Sequence, residues 1–206
     1  MADVGNRPEV YDELQTWKLK LLYRKSLNDA EISQAENSVP LVYVQGDVTK
    51  PIGSPSYPRI VVHCCNDAGL WGAGVSGAIG NEWTVARKQY YAWAKTDSLA
   101  PNIPFKIGNI QAVCVHETLY VCNLIGQRGV RSPINPKPVD YPGIKEGLTK
   151  LALWANTLFG DNAVVHMPKL GAGLAGGDWD IIEGIIKDTL GAAGIFTVVY
   201  EFGGGK

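Results

Sequence analysis

The chain has 206 residues, 46% of them hydrophobic and 19% charged, a globular composition sized for one domain with a small appendage. A formal net charge of −1 leaves no basic surplus. That excludes broad nucleic-acid binding by counterion release, and it means that an anionic ligand must be held mainly by neutral donors such as backbone N–H groups. The opening MADVGNRPEVYDEL lacks the apolar stretch of a signal peptide, and nowhere do about 18 apolar residues run unbroken. No membrane partner is expected, and the expected location is the cytoplasm, or the nucleus in a eukaryotic cell.

In chain order, the first 38 residues stand apart. Val10, Leu14, Trp17 and Leu21 recur at amphipathic-helix spacing, and Ser26 followed by Asp29 resembles a capping box opening a second short helix through Glu36. Residues 1–38 are read as a helical extension or linker, and 39–206 as the main domain. From Leu41 strands and helices alternate. LVYVQ (41–45) and RIVVHCC (59–65) are short, β-branched apolar runs. Ile79, Trp83, Ala86 and Tyr90 then hold helical spacing to about Ala94. IQAVCVH (110–116) and LYVCNLI (119–125) predict a hairpin around Glu117-Thr118. The proline-rich SPINPKPVDYP leads to a helix from about Gly143 to Phe159. AVVHMPKL (163–170), a helix over 178–190 and IFTVVYEF (195–202) complete the set. Strands interleaved with helices predict a three-layer α/β/α domain around a mixed, mostly parallel sheet.

Cys64, Cys65, Cys114 and Cys122 show no CxxC spacing and lie in apolar runs, where cysteine acts as a small hydrophobe. A reducing compartment fits. A zinc site joining them to His63 or His116 would lack the usual ligand spacing, so no metal is expected.

The chemistry concentrates in three places. Gly72-Ala73-Gly74-Val75-Ser76-Gly77 follows the second strand, and Gly171-Ala172-Gly173-Leu174-Ala175-Gly176 follows strand 163–170. Each matches GxGxxG, in which glycine lets the backbone approach a phosphate and the helix start offers unpaired N–H donors. A dinucleotide-dehydrogenase reading fails. Neither loop is followed by an acid about 20 residues on at the end of a second strand, and Asn66 to Gly74 is too long for the tight turn. Two such loops can instead face each other across neighbouring strand ends and grip a diphosphate from both sides; singly, each is equally a tight turn and helix cap. The third place is Gly46-Asp47-Val48-Thr49. There the Asp47 carboxylate can accept from an exocyclic amine and the next N–H can donate to a ring nitrogen, which would read adenine. Asp47 also suits a plain turn or N-cap.

The phrases YVQGDVTKP, IVVHCCNDAGLWGAGVSGAI, VHMPKLGAGLAGGDW and VVYEF, in this order, resemble the macrodomain family over about residues 41–202. They are similar to the branch holding the terminal ADP-ribose protein glycohydrolase, the yeast ADP-ribose-1''-phosphate phosphatase and the macro domain of a chromatin remodeller activated by poly(ADP-ribose). The resemblance implies ADP-ribose, free or attached to a protein or small molecule, as ligand, with no cofactor. It implies that Asp47 and Val48 bind adenine, that Gly72, Ala73, Gly74, Val75 and Ser76 wrap the pyrophosphate and distal ribose, and that Leu170, Gly171, Ala172, Gly173, Leu174, Ala175 and Gly176 close over the phosphates. Asn66 would orient the anomeric centre, and Phe202 or Tyr200 would lie against adenine or sit in the core. Trp71 and Trp179 are read as packing or loop-shaping residues.

The pattern departs from the glycohydrolase at its chemistry. Gln127 or Arg128 stands where that enzyme carries its adduct-forming lysine, and Ala175 where it carries an aspartate. Arginine stays protonated and cannot replace the lysine as nucleophile. What the resemblance leaves is hydrolysis of ADP-ribosyl esters by a water, with Asn66 positioning and Asp67 or Asp178 as general base. Asp67 equally suits an Asx turn and Asp178 an N-cap. The alternatives are a phosphatase of ADP-ribose-1''-phosphate and a non-catalytic reader of ADP-ribose.

Overall fold

A computed structural model describes residues 41–99 and 103–202; the helices expected between Val10 and Glu36 lie outside the described residues. Six strands form the main sheet: β1 (Leu41–Gln45), β2 (Arg59–Asn66), β5 (Ile110–His116), β6 (Leu119–Gln127), β7 (Val164–Pro168) and β8 (Phe196–Glu201). Their order is β1-β8-β7-β2-β6-β5. Every neighbouring pair is parallel except the β5–β6 hairpin at one edge. A short antiparallel ribbon, β3 (Ser98–Leu99) with β4 (Ile103–Pro104), was not foreseen from the sequence.

The near-continuous apolar runs of β2 and β6 have a direct cause. Both are interior parallel strands covered on two faces, so neither face can be polar. Alternation then sorts the side chains. Val62, Leu124, Val165 and Val199 point to one face, where Ile144, Leu148 and Leu151 of α3 (Tyr141–Phe159) and Ile182 of α4 (Trp179–Ile186) cover them. Val61, Val121 and Val198 point to the other, under Ile79 of α1 (Val75–Glu82) and Ala86 of α2 (Thr84–Thr96). Tyr90 and Trp93, also of α2, are fully buried against Cys65 and Ile125. The three layers expected from the sequence are present.

α3 lies close on β6 because glycine removes the obstruction. A Cβ at Gly126 would stand 2.9 Å from Ile144 Cγ1, and one at Gly147 2.7 Å from Leu124 Cγ. Asp140 caps the helix, accepting from the Gly143 N–H at 2.7 Å.

Two helix boundaries differ from the sequence reading. The single helix expected from Ile79 to Ala94 is two, broken at Trp83, whose φ of −125° and ψ of 79° are not helical. The apolar spacing runs through the break because both helices face the same side of the sheet. The helix expected over 178–190 is α-helical only to Ile186. Lys187–Gly191 winds as a π turn, with Thr189 Oγ1 donating to the Ile185 carbonyl at 2.7 Å.

Candidate functional site

The topology fixes where a ligand can sit. From β2 the chain passes through α1 and α2 to β5 and β6 on one side; from β7 it passes through α4 to β8 on the other. β2 and β7 are neighbours, so the direction of winding reverses between them, and open parallel sheets bind ligands outside the carboxyl ends of strands at such a point. Pairing of β2 with β7 runs only from Arg59–Val164 to Val61–His166, although β2 continues to Asn66 and β7 to Pro168. The ladder stops short of the carboxyl edge, and the two glycine loops rise on either side of that gap.

The loops face each other. A Cβ built on Gly74 would lie 3.9 Å from Cδ1 of Leu174, whose side chain is 63% exposed and reaches across from the opposite wall. Gly74, with φ of 66°, turns the first loop into α1. Gly171 and Gly176 take φ of 72° and 69° in the second, and all three lie in the left-handed region that disfavours a side chain. The second loop is braced from within: Gly177 N–H donates to Gly171 O at 2.9 Å, Gly176 N–H to Gly173 O at 3.0 Å and Ala172 N–H to Lys169 O at 3.1 Å. Val139 N–H donates to Ala175 O at 3.2 Å and ties the loop to the segment before α3. Among the described residues, the N–H groups of Gly72, Ala73, Gly74, Val75 and Ser76, and those of Gly171, Gly173, Leu174 and Ala175, meet no protein acceptor. Two sets of unpaired donors, one at a helix start, thus border one gap. Donors so placed can hold an anion through main chain alone.

Two basic side chains near this edge are already paired. Lys169 lies 2.7 Å from Glu201, and that hydrogen bond raises its pKa. Arg128 lies 2.7 Å from Asp140.

The remaining expected residues divide. Asp47 is half-buried at the end of β1, its Oδ1 accepting from Thr49 N–H at 2.9 Å, while Val48 packs into the core. The Val48 N–H has no protein acceptor among the described residues. β1 lies three strand positions from β2, about 14 Å at the usual spacing. The edge therefore suits an elongated ligand. Phe202, at the end of β8, is 78% exposed. Tyr200 is a core residue: its hydroxyl lies 3.0 Å from His166 Nδ1 and accepts from Ile52 N–H at 2.8 Å. That fixes the loop after β1.

The three residues expected to take part in catalysis hold loop backbone. Asn66 is buried and its amide is engaged in its own loop. Oδ1 accepts from Ala68 and Leu70 N–H at 3.1 and 3.0 Å, and Nδ2 donates to Leu70 O. It organises residues 66–70. Asp67 Oδ1 accepts from Gly129 N–H at 2.6 Å, joining the loop after β2 to the loop after β6. Gln127 Nε2 donates to Gly129 O at 3.0 Å in the same joint. Asp178 is the N-cap of α4, accepting from Asp180 N–H at 3.0 Å. Both carboxylates hold a backbone N–H through Oδ1. Trp71 and Trp179 are loop-shaping residues. Trp71 Nε1 donates to Ser76 O at 2.6 Å and Trp179 Nε1 to Tyr43 Oη at 2.8 Å.

Sequence reasoning missed the role of His63. It is buried beneath the first loop, with Nδ1 3.2 Å from Ser76 Oγ and Nε2 2.7 Å from Asn123 Oδ1. Burial depresses its pKa to about 4. Burial also pushes the Cys64 thiol up to about 12, and the Cys65 and Cys122 thiols upward, so none of the three is a ready nucleophile. His116 ends β5 opposite Leu119, whereas His63 pairs with Asn123, so the two histidines do not share a site. No helix among the described residues is long and apolar enough to cross a membrane.

No family profile matches the chain. It is similar to the chromodomain-helicase-DNA-binding protein 1-like of Danio rerio, at 31% identity over 165 residues. That match covers 78% of this chain but 15% of the relative, and the Mus musculus counterpart is covered to 19%, so the chain spans under a fifth of either. It is 22% identical to an ADP-ribose 1''-phosphate phosphatase of Lodderomyces elongisporus, covering 70% of this chain and 89% of that one. Among solved structures, a Bacteroides thetaiotaomicron protein of unknown function is 36% identical with a TM-score of 0.71, covering 79% of this chain and 98% of that one. A Thermosipho africanus DarTG in complex with ADP-ribose shares the fold at 16% identity and TM-score 0.60, over 79% of this chain and 43% of that one. A macrodomain protein of Streptomyces coelicolor is 37% identical with a TM-score of 0.66, over 80% of this chain and the whole of that one. With the facing glycine loops at the switch point and that likeness across an entire macrodomain, the chain belongs to the macrodomain family.

Proposed function

We propose that the gap between the two glycine loops binds ADP-ribose. One observation carries the reading: two walls of unpaired main-chain donors, close enough for Leu174 to reach Gly74, stand at the switch point of the sheet. In this reading the main-chain donors of both loops carry most of the hold on the pyrophosphate. The adenine lies toward β1. There the Asp47 carboxylate, one oxygen of which holds Thr49 N–H, accepts from the exocyclic amine with its other oxygen, and Val48 N–H donates to a ring nitrogen. Phe202 folds its exposed ring over the base. The distal ribose lies toward β6 and Gln127. Two relatives support the ligand class, the Lodderomyces elongisporus phosphatase named for ADP-ribose 1''-phosphate and the Thermosipho africanus complex with ADP-ribose.

The activity proposed on this site is hydrolysis of ADP-ribosyl esters, including those on Glu and Asp side chains. A water held by the ligand's own phosphate and the loop amides attacks the anomeric carbon or the acyl group on it; the C–O ester bond breaks, the carboxylate leaves, and the water's proton passes by way of the phosphate to solvent. The protein's part is then positioning and stabilisation of charge, which together supply large rate factors without a side-chain nucleophile. A non-catalytic reader is the second reading, and a specific observation favours it: Asn66, Asp67 and Asp178 are all engaged in holding loops. Phosphatase activity on ADP-ribose-1''-phosphate is the third, supported by the 89% of the Lodderomyces elongisporus relative that aligns.

Titration calorimetry with ADP-ribose, run beside turnover of a mono-ADP-ribosylated glutamate peptide and of ADP-ribose-1''-phosphate, separates the three. Release of ADP-ribose from the peptide supports the hydrolase, release of phosphate supports the phosphatase, and binding with neither leaves the reader. Absence of binding refutes all three.

A further inference from the structure

The first glycine loop contains one group that differs in polarity from its neighbours, and a buried chain of hydrogen bonds sets that polarity. Ser76 is half-buried in the first turn of α1, and its Oγ lies 3.8 Å from where a Cβ on Gly72 would stand. Behind it, Ser76 Oγ lies 3.2 Å from His63 Nδ1, and His63 Nε2 lies 2.7 Å from Asn123 Oδ1. Asn123 Nδ2 donates to Gln111 Oε1 at 2.9 Å and to Ala86 O at 3.3 Å; Gln111 Nε2 donates to Gln89 O at 3.0 Å.

The last acceptors, Ala86 O and Gln89 O, are main-chain carbonyls, which only accept. They orient both amides. The nitrogen of Gln111 must face Gln89, so its oxygen faces Asn123. The nitrogen of Asn123 must face Gln111 and Ala86, so its oxygen faces His63. His63 therefore carries its proton on Nε2, and Nδ1 is a bare acceptor. The other neighbours do not reverse this. Cys65 Sγ is a weak partner at 3.8 and 3.6 Å from the two ring nitrogens, and Trp71 presents a ring edge-on at 5.2 Å. His63, Asn123 and Gln111 are all buried, so no solvent competes for the direction of the chain.

A serine hydroxyl has one proton and two lone pairs. With its proton directed to His63, Ser76 meets the gap only as an acceptor, among neighbours that only donate. An acceptor repels a phosphate oxygen and welcomes a hydroxyl. We infer that Ser76 is a specificity-determining residue that accepts a hydrogen bond from a ligand hydroxyl beside the pyrophosphate. It thereby selects nucleoside diphosphates whose far phosphate carries a second, hydroxyl-bearing sugar over those ending in phosphate. His63, Asn123 and Gln111 are its positioning residues. The inference rests on the ADP-ribose reading and adds the group that distinguishes ADP-ribose from ADP.

Two measurements on the full chain test it. Nitrogen-15 NMR of the unliganded protein reports the His63 tautomer directly and needs no variant. A proton on Nε2 with a bare Nδ1 is expected; a proton on Nδ1 overturns the inference. Calorimetry then compares ADP-ribose with ADP on the unmodified chain and on Ser76→Ala. The expected result is a loss of roughly five- to tenfold for ADP-ribose, the usual worth of one hydrogen bond, with ADP held or tightened because the variant also removes an acceptor facing its terminal phosphate. An equal loss for both ligands, or none for ADP-ribose, overturns the assignment of Ser76 while leaving the site intact. If the unmodified chain binds neither nucleotide, the ADP-ribose reading fails before the variant is examined, and the inference fails with it.

Discussion

Gly173→Glu separates the fold from the site more cleanly than any other single change. The position sits near the centre of the second loop, nothing lies within 4 Å of a Cβ placed there, and its φ is not among the left-handed ones. A side chain is therefore accommodated without strain, and the change in folding stability should stay within about 1 kcal/mol. The neighbouring N–H groups of Leu174 and Ala175 face the bound phosphates in the proposed complex. A carboxylate about 6 Å from one phosphate charge, at an effective dielectric near 20, is repelled by roughly 3 kcal/mol. Two such charges act on it, offset in part by rotation of the side chain into water. A net loss of about 3 kcal/mol or more corresponds to at least a hundredfold weaker binding. Calorimetry with ADP-ribose, paired with a thermal melt, reads both quantities, and Gly173→Ala serves as the uncharged control with affinity within about threefold of the parent. Affinity for Gly173→Glu within threefold of the parent would refute the placement of the phosphates. A collapse of the melting temperature would refute the claim that the position is open.

Asp47→Asn keeps an oxygen for Thr49 N–H but presents an amide nitrogen where the carboxylate would accept from adenine. ADP-ribose should weaken about tenfold while its hypoxanthine counterpart, bearing an oxygen in place of the amine, does not. Equal losses on both bases would argue against base reading there. Asp67→Asn and Asp178→Asn still accept from Gly129 and Asp180 N–H, so any esterase turnover should stay within about threefold; a hundredfold drop in either would restore that residue as general base. His63 and His166 have pKa values lowered by burial to about 4 and about 3, against an ordinary 6.5. The unfolded chain takes up protons as pH falls through 6.5 while the native histidines do not. Stability is thus complete above that pH and falls toward pH 4 and below, by several kcal/mol at the lower end. Urea midpoints that stay flat from pH 7.5 to 4.5 would contradict the burial. A thiol reagent should label Cys114 rapidly in the native protein and all four cysteines only after denaturation, since Cys114 is the exposed one; fast labelling of a second thiol would show the core to be open.

The strands were legible because a covered parallel sheet demands uninterrupted apolar runs, and IVVHCC and LYVCNLI supply them. The positions of the two glycine loops were legible for a related reason: a strand, a glycine cluster and a helix leave one geometry for the connection. The break at Trp83 was hidden, because α1 and α2 bury the same face of the layer and the helical spacing continues through a residue that is not helical. The backbone contacts of the expected catalytic residues were hidden for a different cause. What Asp67 does depends on Gly129, 62 positions away, and no local pattern encodes that partner. The turn at 66–70 that Asn66 Oδ1 holds is likewise set by partners two and four residues on. The direction of the Ser76 hydroxyl is set by residues on β2, β5, β6 and α2 that meet only in the folded sheet.

The central claim is that main-chain N–H groups from both loops hold the ligand's diphosphate together. Amide-detected NMR titration with ADP-ribose observes those groups one by one. The account predicts downfield proton shifts for Gly72 to Ser76 and for Gly171, Gly173, Leu174 and Ala175, saturating along a single binding curve. Shifts confined to one loop, or absent from both, would contradict it.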